Sequence, residues 1–177
     1  MQKNKTVILF LIKFFGSYAI LFLLYTFYLN KNQGSVGMYS CAPITELVAK
    51  QSNYLINLAG YTSKIQQSTT EMSIHLIINQ KSVAKVIEGC NAISIIILFI
   101  AFIIAFSGKL KPTLLFIIAG SLLIYFINIV RISAIAIALY EYPEYERMLH
   151  DFIFPLMIYG TTFLLWIVWV TKFLKLK

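Results

Sequence analysis

The chain has 177 residues, 59% of them hydrophobic, and a mean hydropathy of +0.79. A water-soluble domain of this size needs a mostly polar surface, so the composition excludes one and indicates an integral membrane protein. The net charge of +8 sits largely on lysines at the ends of apolar runs, which argues for orientation in a bilayer rather than nucleic-acid binding, and two cysteines outside any C-x-x-C pair cannot build a disulfide framework.

The first apolar run, 7–29, follows Lys3 and Lys5 and carries Lys13 in its first turns, where a long side chain can snorkel to the interface. It exceeds a signal-peptide core of about 7–15 residues and lacks a small-residue cleavage site, so it reads as a membrane anchor. Three more runs follow at 89–108, 112–140 and 152–171, each matching the roughly 20 residues that a helix needs to cross a bilayer. With four crossings, Lys3 and Lys5, then Lys109 and Lys111, then Lys172, Lys175 and Lys177 fall on one side. Positively charged ends stay in the cytoplasm, so both termini are expected there. Glu46, Glu71, Glu88, Glu141, Glu144, Glu146 and Asp151 then all fall on the outer side or at its boundary.

The expected fold is an all-α integral membrane protein, a single domain over 1–177, with four transmembrane helices in the cytoplasmic (inner) membrane. Its outer loop, 30–88, is patterned. Pro43 opens a stretch that sets Ile44, Leu47, Val48, Gln51, Leu55 and Leu58 on one helical face, and Gly60 closes it. This amphipathic helix needs a lipid or protein partner and is expected on the membrane surface. The segments 72–79 and 82–88, rich in isoleucine and valine and separated by the turn-like Asn79-Gln80-Lys81-Ser82, predict a β-hairpin. Its second strand delivers the chain to Cys90.

Cys90 stands at the entrance to the second apolar run, where free N–H groups and the positive end of a helix dipole stabilise a thiolate. The alternative is a small buried hydrophobe. Asn128 and Arg131, spaced three apart in the third run, share a helical face. An ionisable group inside an apolar helix marks a functional site by default, against the alternative of an interfacial arginine that snorkels to headgroups. Counting from Pro112, Arg131 lies about 28 Å along the helix, near the outer boundary and level with Cys90. His150 begins the fourth run at the same boundary, as a reactive imidazole or as a helix-start residue beside Asp151. Glu88 opposes a thiolate at Cys90 unless a cation compensates. His75 alternates with Ile74 and Leu76 and reads as a solvated strand position. A Cys41–Cys90 disulfide is a lesser alternative.

Cys90 at a helix start, Asn128-Ile129-Val130-Arg131 in the next span and His150 at the start of the one after resemble the exosortase and archaeosortase family of membrane transpeptidases. The chain, with Gly89-Cys90-Asn91-Ala92 and its isoleucine run, is similar to the short exosortase F branch of the Bacteroidetes. Family members commonly carry Ala-Cys-Ser-Gly at the cysteine, so the neighbours of Cys90 depart from that pattern. The resemblance implies an enzyme that cuts a C-terminal sorting signal from exported proteins, each anchored by a transmembrane helix, at the periplasmic face and transfers the new terminus to an acceptor. It implies Cys90 as nucleophile, Arg131 as oxyanion stabiliser or substrate orienter and His150 as general acid and base, with Asn91 and Asn128 in support. The rival reading is a non-catalytic membrane scaffold or assembly factor, while a quinone-linked thiol oxidase should have paired reactive cysteines. No metal-ligand cluster or phosphate-binding glycine loop is written in the sequence, so no cofactor is expected.

Overall fold

Apolar runs fold as helices because a bilayer leaves backbone N–H and C=O groups no partner outside their own segment. The computed structural model describes residues 2–34, 37–106 and 108–173. Among these, three helices are long and apolar enough to cross a membrane: Val7–Asn32 within α1 (Gln2–Asn32), the 32-residue α4 (Leu110–Glu141), and the continuous stretch Pro143–Lys172. That last stretch runs from a 3-10 turn, Pro143–Tyr145, into α5 (Glu146–Met148), a π-helical turn (Leu149–Ile153) and α6 (Phe154–Val168). The π turn has a local cause: Pro155 has no N–H to give Asp151, so the backbone ahead of it widens. Large apolar side chains stay exposed on these helices, Leu115 and Leu122 of α4 at 67% and 65%, as a lipid-facing surface requires. The protein is a mostly helical, multi-pass membrane protein.

The run 89–108 departs from the sequence expectation. Its first residues form a 3-10 turn, Glu88–Asn91, and Ala92 turns left-handed at φ 64° before α3 (Ile93–Ala105) begins. The 13 residues of α3 rise about 20 Å, short of the roughly 30 Å hydrocarbon core. Three candidate spans therefore stand where four were expected.

α3 is nevertheless the packing centre of the helices. Phe10 of α1 lies 4.3 Å from Phe106 and meets Phe102 edge-on at 6.3 Å, and Phe102 stacks on Trp166 of α6 at 4.3 Å. Phe99, fully buried, lies against Gly120 of α4 so closely that a Cβ there would stand 2.3 Å from its ring.

The segment between α1 and α3 is folded. Its helix α2 (Pro43–Leu58) starts on the proline as predicted and ends at Gly60, whose φ of 95° lets Gly60 N–H reach the Asn57 carbonyl and Tyr61 N–H reach that of Ile56. The predicted face is corrected. Thr45, Val48, Ala49, Ser52 and Ile56 are buried, whereas Leu47 and Leu58 are exposed. The reason is the partner: small residues let α2 approach Ile132, Ser133 and Ala136 of α4, and Ser133 Oγ donates to the Ser52 carbonyl at 3.1 Å.

The predicted hairpin is present, as β2 (Ile74–Ile78) and β3 (Lys81–Val86) in antiparallel register. Asn79 and Gln80 both have positive φ, the two-residue turn whose twist suits a hairpin. A third strand, β1 (Ser63–Gln67), was not predicted and pairs with β2 on its other side. Ile74, Leu76 and Ile78 point into the core shared with α2 and α4, while His75 faces outward to Ser82 Oγ at 2.9 Å, the solvated position expected.

Candidate active site

Cys90 is held by its backbone from two sides. Its N–H donates to the Ile87 carbonyl at 2.8 Å, and its carbonyl accepts from Asn128 Nδ2 at 2.7 Å. The first bond closes the 3-10 turn that ends the hairpin strand; the second fastens that turn to α4. Asn128 is 1% exposed, so the bond is made away from competing water.

The next residue carries a second set of bonds. Asn91 Nδ2 donates to Tyr25 Oη of α1 at 2.7 Å and to Thr45 Oγ1 of α2 at 3.0 Å, while its Oδ1 accepts from Ile93 N–H at 3.0 Å. That last bond satisfies a donor that the start of α3 leaves without an intrahelical partner. Asn91 thus joins three helices one residue beyond the thiol.

Glu88 is bonded to the start of α2. The carboxylate accepts from Ala42 N–H at 2.6 Å and from Thr45 Oγ1, so it sits at the N-terminus of α2, where a negative charge is favoured. Tyr25, Thr45 and this use of Glu88 were not legible in the sequence, since each pairing joins residues more than 40 apart.

Arg131 and Cys90 line the same cavity, of about 530 Å³, bounded by β3, α4 and the start of α6 at Phe154 and Pro155. Such a volume lies in the range of ligand sites, about 300–1,000 Å³. Asn128 and Arg131 do share a face, one gripping the cysteine carbonyl and the other opening into the cavity beside it. Arg131 Nε is buried and has no hydrogen-bond partner among the described residues, nor does the arginine form an ion pair among them. A guanidinium left in that state is set up to meet an oxygen that arrives with a ligand. Glu146 of α5 also lines the cavity, a residue that the sequence placed only in an acidic loop.

His150 lies in the π-helical turn Leu149–Ile153, just ahead of the two α6 residues at the cavity wall, and its side chain lies outside the described residues. Cys41 and Cys90 are free thiols. Cys41 is 6% exposed and is pushed up to about 11, first by burial and then by the Glu88 charge. Cys90 is half-buried at the cavity.

A family model described as transmembrane exosortase matches residues 6–170. No curated protein and no solved structure matches the chain. The matched region takes in every element from α1 to α6, including the thiol turn and the arginine face, and exosortases are membrane cysteine transpeptidases with a role in protein sorting. This chain is a member of the transmembrane exosortase family.

Proposed function

We propose that this protein is a cysteine transpeptidase that cleaves a C-terminal sorting signal from exported proteins and transfers the new C-terminus to an acceptor. The observation that carries the proposal is the shared cavity of Cys90 and Arg131, a free thiol and a guanidinium whose buried Nε has no partner among the described residues, delivered by separate elements.

The proposed chemistry assigns each residue one task. His150 takes the thiol proton as Cys90 Sγ attacks the scissile carbonyl carbon, and Arg131 donates to the oxygen that gains charge. The C–N bond breaks, the amine leaves with the proton from His150, and the acyl group remains on sulfur as a thioester. An acceptor nucleophile then attacks the same carbon, loses its proton to His150, and the S–C bond breaks to restore the thiol. Asn128 and Asn91 hold the turn that aims the sulfur.

In the proposed topology the turn Glu88–Asn91 and α3 together make a fourth crossing, which places both termini in the cytoplasm and the cavity at the periplasmic face of the inner membrane. The lysine distribution supports this orientation. A substrate anchored by its own C-terminal helix then presents its scissile bond at the depth of Cys90.

The test follows the size of an exported host protein that ends in one hydrophobic helix and a few basic residues. Cys90→Ala should abolish its processing, and Arg131→Lys, which lacks the planar fork, should slow it about 10²–10³-fold. Undiminished processing in Cys90→Ala would leave a scaffold role instead.

A further inference from the structure

The open edge of β3 offers a place for the substrate's backbone. In the order β1-β2-β3, this strand pairs with β2 on one side only, and its opposite edge makes no backbone hydrogen bond to any described residue. An unpaired edge is a row of N–H and C=O groups ready to take another chain. Natural proteins commonly blunt such an edge or cover it. Here Ser82 to Val86 line the cavity that holds Cys90 and Arg131.

Two further features aim that edge at the thiol. The register of β2 and β3 skips at Leu76/Ile77, leaving Val83 as an extra residue in β3, a bulge that bends the strand and turns Val83 and Ala84 both toward the core. The strand then ends at Val86, and Cys90 follows within one 3-10 turn. Arg131, whose buried Nε has no partner among the described residues, lines the same cavity.

From these features we infer that β3 binds the substrate by strand addition: an extended peptide segment, directly ahead of the scissile bond, pairs with the free edge of β3. The inference rests on Cys90 being the nucleophile. The direction follows from the connectivity. β3 reaches Cys90 by its C-terminal end, and the segment reaches the scissile bond by its own C-terminal end, so the two run parallel. Six residues of β3 span about 20 Å, enough to pair with a similar length of peptide. Main-chain bonds of this kind give affinity with little demand on side chains, which suits an enzyme whose cavity wall is mostly small or apolar on the strand side.

The test uses the full chain in detergent micelles with two electrophiles, methyl vinyl sulfone and an acetylated hexapeptide of alternating threonine and alanine that ends in a vinyl sulfone. Modification of Cys90 is followed by mass spectrometry. The peptide reagent should modify Cys90 at least tenfold faster than the bare reagent. N-methylation of its amides one at a time should remove that gain at every second position and leave it intact between, because only alternate amides face the strand. If the bare reagent modifies Cys90 and the peptide gains nothing, or if N-methylation shows no two-residue period, strand addition is wrong and the nucleophile stands. If neither reagent modifies Cys90, the nucleophile assignment falls and strand addition falls with it.

Discussion

Two thiols in one chain give an internal comparison at the scale of single residues. Cys41 is buried and held near 11, so at pH 8 about one molecule in a thousand carries its thiolate, against roughly a quarter for an ordinary cysteine. Cys90 opens into a cavity and has no such burial. Iodoacetamide at pH 8 should therefore modify Cys90 and leave Cys41 untouched, as peptide mapping would show. In a Cys90→Ser variant the residual rate at Cys41 should climb about tenfold per pH unit up to pH 10, because a raised thiol keeps gaining thiolate until pH passes its own value. A plateau near pH 9 would contradict the assigned environment. The sequence carried part of this contrast. Both cysteines were visible, and the spacing of Asn128 and Arg131 correctly put them on one face. The capture of Glu88 by the start of α2 was not visible, because periodicity reports on neighbours along the chain and says nothing of a carboxylate reaching Ala42 and Thr45 from more than 40 residues away.

The elements differ in how much of their stability is local. The ends of α2 follow from Pro43 and Gly60 alone, and the β2–β3 turn from Asn79. The buried face of α2 does not, because α4 chose Ala49 and Ser52, small enough for close approach, over the larger Leu47 and Leu58. β1, with the sequence SKIQQ, has one apolar residue and no alternation to read, and it exists because β2 offers it a partner. At the turn, Gln80 holds φ 70°, a conformation that opposes a β-carbon by about 1–2 kcal/mol. Gln80→Gly should therefore stabilise the fold by up to about 1 kcal/mol once the extra freedom of glycine in the unfolded chain is subtracted, read as a raised melting temperature in detergent. Gly120 makes the opposite case. Alanine gains about 1 kcal/mol over glycine in a helix, but a methyl 2.3 Å from the Phe99 ring must move a fully buried side chain, and overpacking costs typically 1–3 kcal/mol. Gly120→Ala should lower the melting temperature, whereas Gly160→Ala on α6, with nothing within 4 Å, should raise it. Equal shifts in the two variants would show that α3 and α4 do not pack as closely as described.

For the whole molecule, the lengths of α3 and α4 bear directly on where the chemistry sits. α4 is 32 residues, about 48 Å, against a core of roughly 30 Å, so one end must stand outside the membrane. Its far end is the one tied to the folded segment, through Asn79 Nδ2 to Tyr140 Oη at 3.0 Å and Tyr61 Oη to Glu141 at 2.9 Å. Counting from Leu110, Asn128 and Arg131 lie about 27 and 32 Å along the axis, where a bilayer beginning at the other end gives way to headgroups. Because Asn128 grips the Cys90 carbonyl, the short α3 is suspended from that same level, and its 13 residues fall short of the opposite face unless the link at Lys109 is drawn toward it. The apolar length of 89–108 could not reveal this, since the left-handed turn at Ala92 divides a run that composition leaves whole. The proposed four-crossing arrangement makes the folded segment and the link between α3 and α4 face opposite solutions. Thr69→Cys and Lys109→Cys, each in a Cys90→Ser background where buried Cys41 is silent, separate the possibilities in intact cells. A membrane-impermeant maleimide should label the Thr69 site directly and the Lys109 site only after the inner membrane is permeabilised. Direct labelling at both sites would overturn the four-crossing arrangement, because α4 could not then cross the bilayer with its far end tied to the folded segment.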